Sequence, residues 1–292
     1  VLREAIHLLY NVSDPTNIEI FSIEKLRLPV NQGLPSISLN AGKRVFIFTA
    51  TKLGGEIDLP ETKESPGTKV DVSIIEVTDV DASGHPSTFG KHLFFEIQTA
   101  DFHGSPLHAV DGLEKLLEKS ASTGAFHPDL SGDIEISGTG VEGPNKSNVF
   151  KRTFYQTALK VSVAEARDCA GFVLAIPSSV WESWRKHLAD PTLTPFPGST
   201  KKWIIKGKDE DLAVRIKSGK SWIFVFDINS TSPSTPKPLS IEGMISVSTE
   251  ALQEYAFDRT AENIIKHKVV EAYRKTFVER IGAAWPRPAK SK

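Results

Sequence analysis

Apolar positions change period along this chain, and the changes mark its elements. Residues 2–10 place Leu2, Ile6, Leu9 and Tyr10 at helical spacing, and turn residues at 11–15 end that helix. Residues 43–51 (KRVFIFTAT) are nearly all apolar, which predicts a central strand. Two further runs, Val70-Asp71-Val72-Ser73-Ile74-Ile75-Glu76-Val77 and His92-Leu93-Phe94-Phe95-Glu96-Ile97-Gln98-Thr99, flank a turn-rich segment centred on Gly84 and predict an antiparallel hairpin. With Gly84 at the centre, Asp71 falls opposite Ile97, on the Glu96–Gln98 edge.

Residues 100–147 are polar, rich in Gly, Ser and Pro, with one helical pattern at 109–119, and read as an insertion. The strongest helix spans 148–168, with Asn145 or Ser147 as its cap and Phe150, Phe154 and Val161 on one stripe. A buried strand at 170–176 is ended by Pro177, and a short helix follows at 179–188. The proline-rich stretch 190–199 reads as a linker or surface loop, followed by strand-like runs at 202–206, 212–217 and 221–228, a loop at 229–238 and a final helix at 260–281. The order helix, three strands, long helix, strand predicts an α/β (α+β) fold with a mixed central sheet flanked by helices. Residues 1–190 are expected to form the core, with 191–292 as an α+β extension packed on it.

Composition narrows the function. No apolar run approaches the roughly 20 residues of a membrane helix, which predicts no membrane partner. The single cysteine, Cys169, excludes an internal disulfide framework and Cys-rich metal sites, and is expected as a buried thiol. With no start resembling a signal peptide, a reducing cytoplasm is the expected compartment. The net charge of −1 conceals an asymmetry: residues 1–150 carry 12 Lys and Arg against 21 Asp and Glu, and residues 151–292 carry 23 against 15. A basic surface built from the second half would suit nucleic acid; two solvated faces that neutralise each other are the alternative.

The candidate chemistry lies at the open end of the hairpin. Glu96 and Gln98 are two residues apart and share a sheet face, while Ile97 turns away. An acid inside the apolar run Leu93-Phe94-Phe95 is costly unless it is paired or metal-bound. Asp71 and Glu96 together could hold a hard divalent cation for phosphodiester chemistry; the alternative is a strand-end carboxylate held by a buried Arg or Lys. His85, His92, His103 and His108 lack metal-ligand spacing, and no glycine run has the spacing of a phosphate loop.

Asp71 with Glu96-Ile97-Gln98 resembles the PD-(D/E)XK nuclease signature in its E-x-Q variant. The stretches FFEIQTADFHG (94–104) and NVFKRTFYQTALKVSVAEARDCAGFVLAIPSSVWESW (148–184) look most like the NotI group of type II restriction endonucleases. The resemblance covers roughly residues 1–190 and implies a restriction-endonuclease-like αβββαβ core. It departs from the family pattern at Val70, where the family name has Pro, and at Gln98, where most members have Lys. It implies Mg²⁺-dependent hydrolysis of specific double-stranded DNA sites, leaving 5′-phosphate ends. Asp71 and Glu96 would be catalytic metal ligands, the Ile97 carbonyl a further ligand, and Gln98 would position water or phosphate. A homodimer and a cognate DNA methyltransferase are the partners it implies.

Arg152, Gln156 and Lys160 recur at i, i+4 and i+8 and are expected to form a polar stripe facing DNA, or a solvated face. Residues 199–223, opening with Lys201 and Lys202, and residues 266–292 are basic windows that could follow a phosphate backbone. A DNA-binding protein on a nuclease scaffold without cleavage is the alternative that Gln98 supports. A nuclease for modified or damaged DNA is another.

Overall fold

The computed structural model describes residues 1–23, 37–40, 42–49, 56–64, 67–98, 146–227 and 239–284. Residues 100–145 of the insertion with its helix at 109–119, the loop at 229–238, His103, His108 and Asn145 therefore lie outside the described residues.

Helix α1 (Leu2–Leu9) forms as its apolar spacing requires, burying Ala5 and Ile6. Strand β1 (Ile18–Ser22) pairs parallel with β2 (Arg44–Phe48), whose Val45, Phe46 and Ile47 are buried. A two-stranded ribbon, β3 (Ile57–Leu59) with β4 (Thr68–Val70), leads into β5 (Val72–Val80), which pairs antiparallel with both β2 and β6 (Pro86–Ile97). Helix α2 (Lys146–Ala164) precedes β7 (Cys169–Pro177), which lies parallel to β6. Ser147, a candidate cap, is already inside α2.

All nine residues of β7 are buried, as expected for a parallel strand covered on both faces. Cys169 opens it as a buried free thiol. Helix α3 (Ser178–His187) follows directly. The chain after residue 190 extends the same sheet: the strand order is β1-β2-β5-β6-β7-β10-β11-β9-β8, with β8 at Leu193–Pro195, β9 at Lys202–Ile205, β10 at Ser221–Asp227 and β11 at Ser240–Val247. β10 lies parallel beside β7. The molecule is thus mixed α/β, a large mixed sheet with helices on it. Among the described residues no helix is long and apolar enough to cross a membrane.

Alternation along the strands divides the core between the two faces. Phe94, Phe172, Leu174, Ile176, Ile223 and Val225 pack with Val149, Phe150 and Val161 of α2 and Trp181 and Trp184 of α3. Phe95, Val173, Ala175 and Phe224 face the other way, onto Ile6 and Tyr10.

Four sequence expectations change. The hairpin is one residue out of its predicted register: Val72 pairs with Phe95, Ser73 with Phe94 and Ile74 with Leu93. The turn closes around Ser83 rather than Gly84, with Asp81 N–H donating to the His85 carbonyl and the Asp81 carboxylate accepting from Ser83 and His85 N–H, so that Val80 pairs with Pro86; irregularities between Ile75 and Val80 then return one residue of that displacement. Residues 212–217 are no strand: α4 (Leu212–Ser218) is a helix, started by the Asp211 carboxylate accepting the Ala213 and Val214 N–H groups. The loop at 190–199 contains β8. The C-terminal helix is divided into α5 (Thr249–Gln253), a π-helical turn at Glu254–Arg259, α6 (Thr260–Lys266) and α7 (Val269–Ala284). Lys268, at φ 53°, breaks it after α6.

Gly171 marks the tightest approach. A Cβ there would stand 2.2 Å from the Lys220 carbonyl oxygen, a backbone atom, and that oxygen accepts from the Phe172 N–H where β7 meets β10. Gly171→Ala is expected to destabilise the fold by at least about 2 kcal/mol through this overpacking, read as a lowered midpoint in urea unfolding.

Candidate active site

Asp71 occupies a bend between β4 and β5. Val70 packs into the core on the α2 face, whereas Val72 packs on the opposite one. Two residues apart on a regular strand would share a face, so the chain turns at Asp71. The corrected register sets Asp71 one step beyond the Val72–Phe95 pair, directly opposite Glu96.

The two acids are fastened to each other's strand. The Asp71 N–H donates to Glu96 Oε1 at 3.1 Å, and the Ile97 N–H donates to Asp71 Oδ2 at 3.0 Å. Each carboxylate thus takes a backbone donor from the other acid's strand, and neither has to be placed by a long side chain. Gln98 lies just past the end of β6, half-buried, its N–H donating to the Ala175 carbonyl at 3.0 Å. Ile97 is half-exposed and points away.

Lys160 completes the group. It is 2% exposed, and its Nζ lies 2.7 Å from Glu96 Oε1. This corrects its sequence assignment: Lys160 is no surface contact for DNA but a buried cation on the carboxylate pair. Gln156 is exposed, so the polar stripe rolls inward along α2. Arg152 lies in the helix, but its side chain is outside the described set. The missed signal was in the pattern: Thr157, Val161 and Ala164 are buried, and Lys160 stands among them at helical spacing on the packed face.

Lys201 and Lys202 stand apart from this group. Lys202 pairs with Met244, Met244 with Phe224, Phe224 with Ala175 and Ala175 with Ile97. It shares a row with Ile97, four strands and therefore about 19 Å away, on the face opposite Glu96 and Gln98. Lys201 is exposed, its Nζ donating to the Ile241 carbonyl at 3.0 Å.

Burial, the leading cause, pushes the Glu96 carboxyl above its ordinary range. The Lys160 ammonium opposes that rise and the Asp71 charge adds to it. Two carboxylates against one ammonium leave a negative balance. The second oxygen of each carboxylate accepts no hydrogen bond among the described residues. Two such oxygens fit a hard, oxygen-seeking cation such as Mg²⁺, which commonly takes one or two carboxylates and completes its shell with water and phosphate. No group of three or more His, Cys, Asp or Glu side chains able to hold a metal occurs among the described residues.

No known family model matches the chain, and no curated protein matches it either.

Because Glu96 binds a proton more tightly folded than unfolded, its contribution to stability is full below its ordinary value of 4.5 and is lost as pH rises through the folded value. Glu96→Gln removes that loss. The unfolding temperature of wild type relative to Glu96→Gln is therefore expected to fall as pH rises above 4.5, followed by circular dichroism melts across that range.

Proposed function

We propose that this chain is a Mg²⁺-dependent, site-specific type II deoxyribonuclease of the PD-(D/E)XK class, cutting double-stranded DNA to leave 5′-phosphate ends. The observation that carries the reading is the reciprocal fastening of Asp71 and Glu96 at the open end of a hairpin. Asp71 and Glu96 would hold the ion, with the Ile97 carbonyl beside them. A bound Mg²⁺ supplies Lewis acidity, which lowers the pKa of water and neutralises charge on the phosphate.

The chain's own residues do the positioning. Backbone N–H groups fix both carboxylates before substrate arrives, so no reorganisation is needed during reaction. Gln98, anchored through its main chain on β7, offers an amide to orient the attacking water or a phosphate oxygen. Hydrolysis breaks the P–O3′ bond and leaves the 3′-hydroxyl. The elements α1, β2, β5, β6, α2 and β7 occur in that order, with β1 and the β3–β4 ribbon added before α2, and this supports a restriction-endonuclease-like core. The excess of Lys and Arg after residue 150 supports a DNA partner. A duplex with a palindromic site has two equivalent strands, which a two-fold homodimer matches. A nuclease of this kind acts in the cytoplasm beside a methyltransferase that protects the host's own sites.

The Glu96–Lys160 contact favours a second reading, in which the pair is structural and the protein binds DNA without cutting it. Plasmids incubated with Mg²⁺ separate the two. Under the nuclease reading wild type gives discrete fragments, while Asp71→Ala and Glu96→Ala slow cleavage by at least about 10³-fold, the loss of several kcal/mol of charge stabilisation, and still bind duplex in gel shift. Duplex binding without fragments from wild type would establish the second reading instead.

A further inference from the structure

The site as the strands build it lacks positive charge. Asp71 and Glu96 lie side by side, Gln98 is neutral, and a phosphodiester brings a further negative charge. The only ammonium in contact with the pair among the described residues comes from α2, through Lys160. We propose, resting on the nuclease reading, that Lys160 is the positioning cation of this site, doing from the helix what a lysine at position 98 would do from the strand.

Burial supports the assignment. Burying an ammonium costs several kcal/mol even after relaxation, and apolar residues of similar volume commonly pack as well or better. Helix α2 is already joined to the sheet by Val149, Phe150, Val161 and Ala164. A lysine is therefore not needed to dock the helix; what it adds is charge at one carboxylate oxygen. That oxygen, Glu96 Oε1, also accepts the Asp71 N–H, so Lys160 and the Asp71 backbone together fix the orientation of Glu96. Lys160 contacts Glu96 and leaves the Asp71 carboxylate to the Ile97 N–H.

Transfer is geometrically open. Residues 96 and 98 share a face and stand about 6.8 Å apart along the strand, within the span of a lysine side chain. A lysine at 98 could therefore bring its ammonium to Glu96 without help from α2.

The test moves the charge. Lys160→Met is expected to keep the fold, bind Mg²⁺ at least about fivefold more tightly by calorimetry because a repelling charge is gone, and cleave at least about 100-fold more slowly. Lys160→Arg keeps the charge and is expected to retain most cleavage. The double variant Lys160→Met with Gln98→Lys is expected to return Mg²⁺ affinity to within about twofold of wild type and cleavage to within about tenfold. A purely structural lysine predicts a different pattern: a lowered unfolding temperature that the second substitution does not mend, and no recovery of affinity. That pattern, or an Mg²⁺ affinity unchanged in Lys160→Met, overturns the proposal. If wild type itself does not cleave, the nuclease reading fails, and the affinity measurements still decide whether Lys160 governs the charge of the pair. Should Lys160→Met not fold, the same comparison is made with Lys160→Gln and its Gln98→Lys double variant.

Discussion

Glu96 sits where a carboxylate is hardest to keep, in a strand whose preceding three residues are all buried. It stays because two groups hold it, the Asp71 N–H and the Lys160 ammonium, while the Asp71 carboxylate, bonded to the adjoining Ile97 N–H, opposes them with its like charge. Take away the bend at Asp71 and its N–H would point along an ordinary ladder. Shift the hairpin by one residue and Asp71 would face Ile97 with its acid partner turned away. The exchange of backbone donors between the two acids depends on that register, and every statement about chemistry at this site depends on the exchange.

The sheet keeps this geometry rigid by burying its middle. β6 and β7 run parallel from His92–Cys169 to Ile97–Ala175, with β10 beyond. Their alternation sends Phe94, Phe172 and Leu174 to the α2 side and Phe95, Val173 and Ala175 to the α1 side. Glu96 continues the Phe94 side past the end of the core, and α2 crosses that face. A helix packed there must present something to the carboxylate. Lys160 is that residue, and Thr157 and Val161 beside it supply the ordinary contact.

Much of this was legible because alternation and helical spacing are local. The hairpin strands, β2, β7, α1, α2 and α3 lie within a few residues of their expected places. The register was misjudged because symmetry about Gly84 ignores Asp81, whose side chain gathers Ser83 and His85 into the turn, and ignores the irregularities between Ile75 and Val80. Leu212–Ser218 reads as a strand from Leu212, Val214 and Ile216, yet Asp211 supplies a cap that decides for helix. The acids themselves were found from sequence because an acid in an apolar run stands out. Lys160 lies on the packed side of its helix rather than the solvated one: a lysine at i+8 from an arginine looks solvated, but its spacing with Thr157, Val161 and Ala164 puts it on the buried face, where a carboxylate 64 residues earlier receives it.

The buried lysine bears on both functional readings, and the charge balance shows why it does not by itself reduce the pair to a structural ion bridge. A bridge that merely neutralises a buried acid needs one carboxylate for one ammonium. Here a second carboxylate is added, held by a backbone N–H rather than by a cation, and burial already raises the proton affinity of Glu96 with Asp71 contributing to the rise. The second acid satisfies the Ile97 N–H, but it also places a like charge beside the first, and charges at this spacing repel. A further cation beside Asp71 would offset that repulsion, and this is what the proposed Mg²⁺ site supplies.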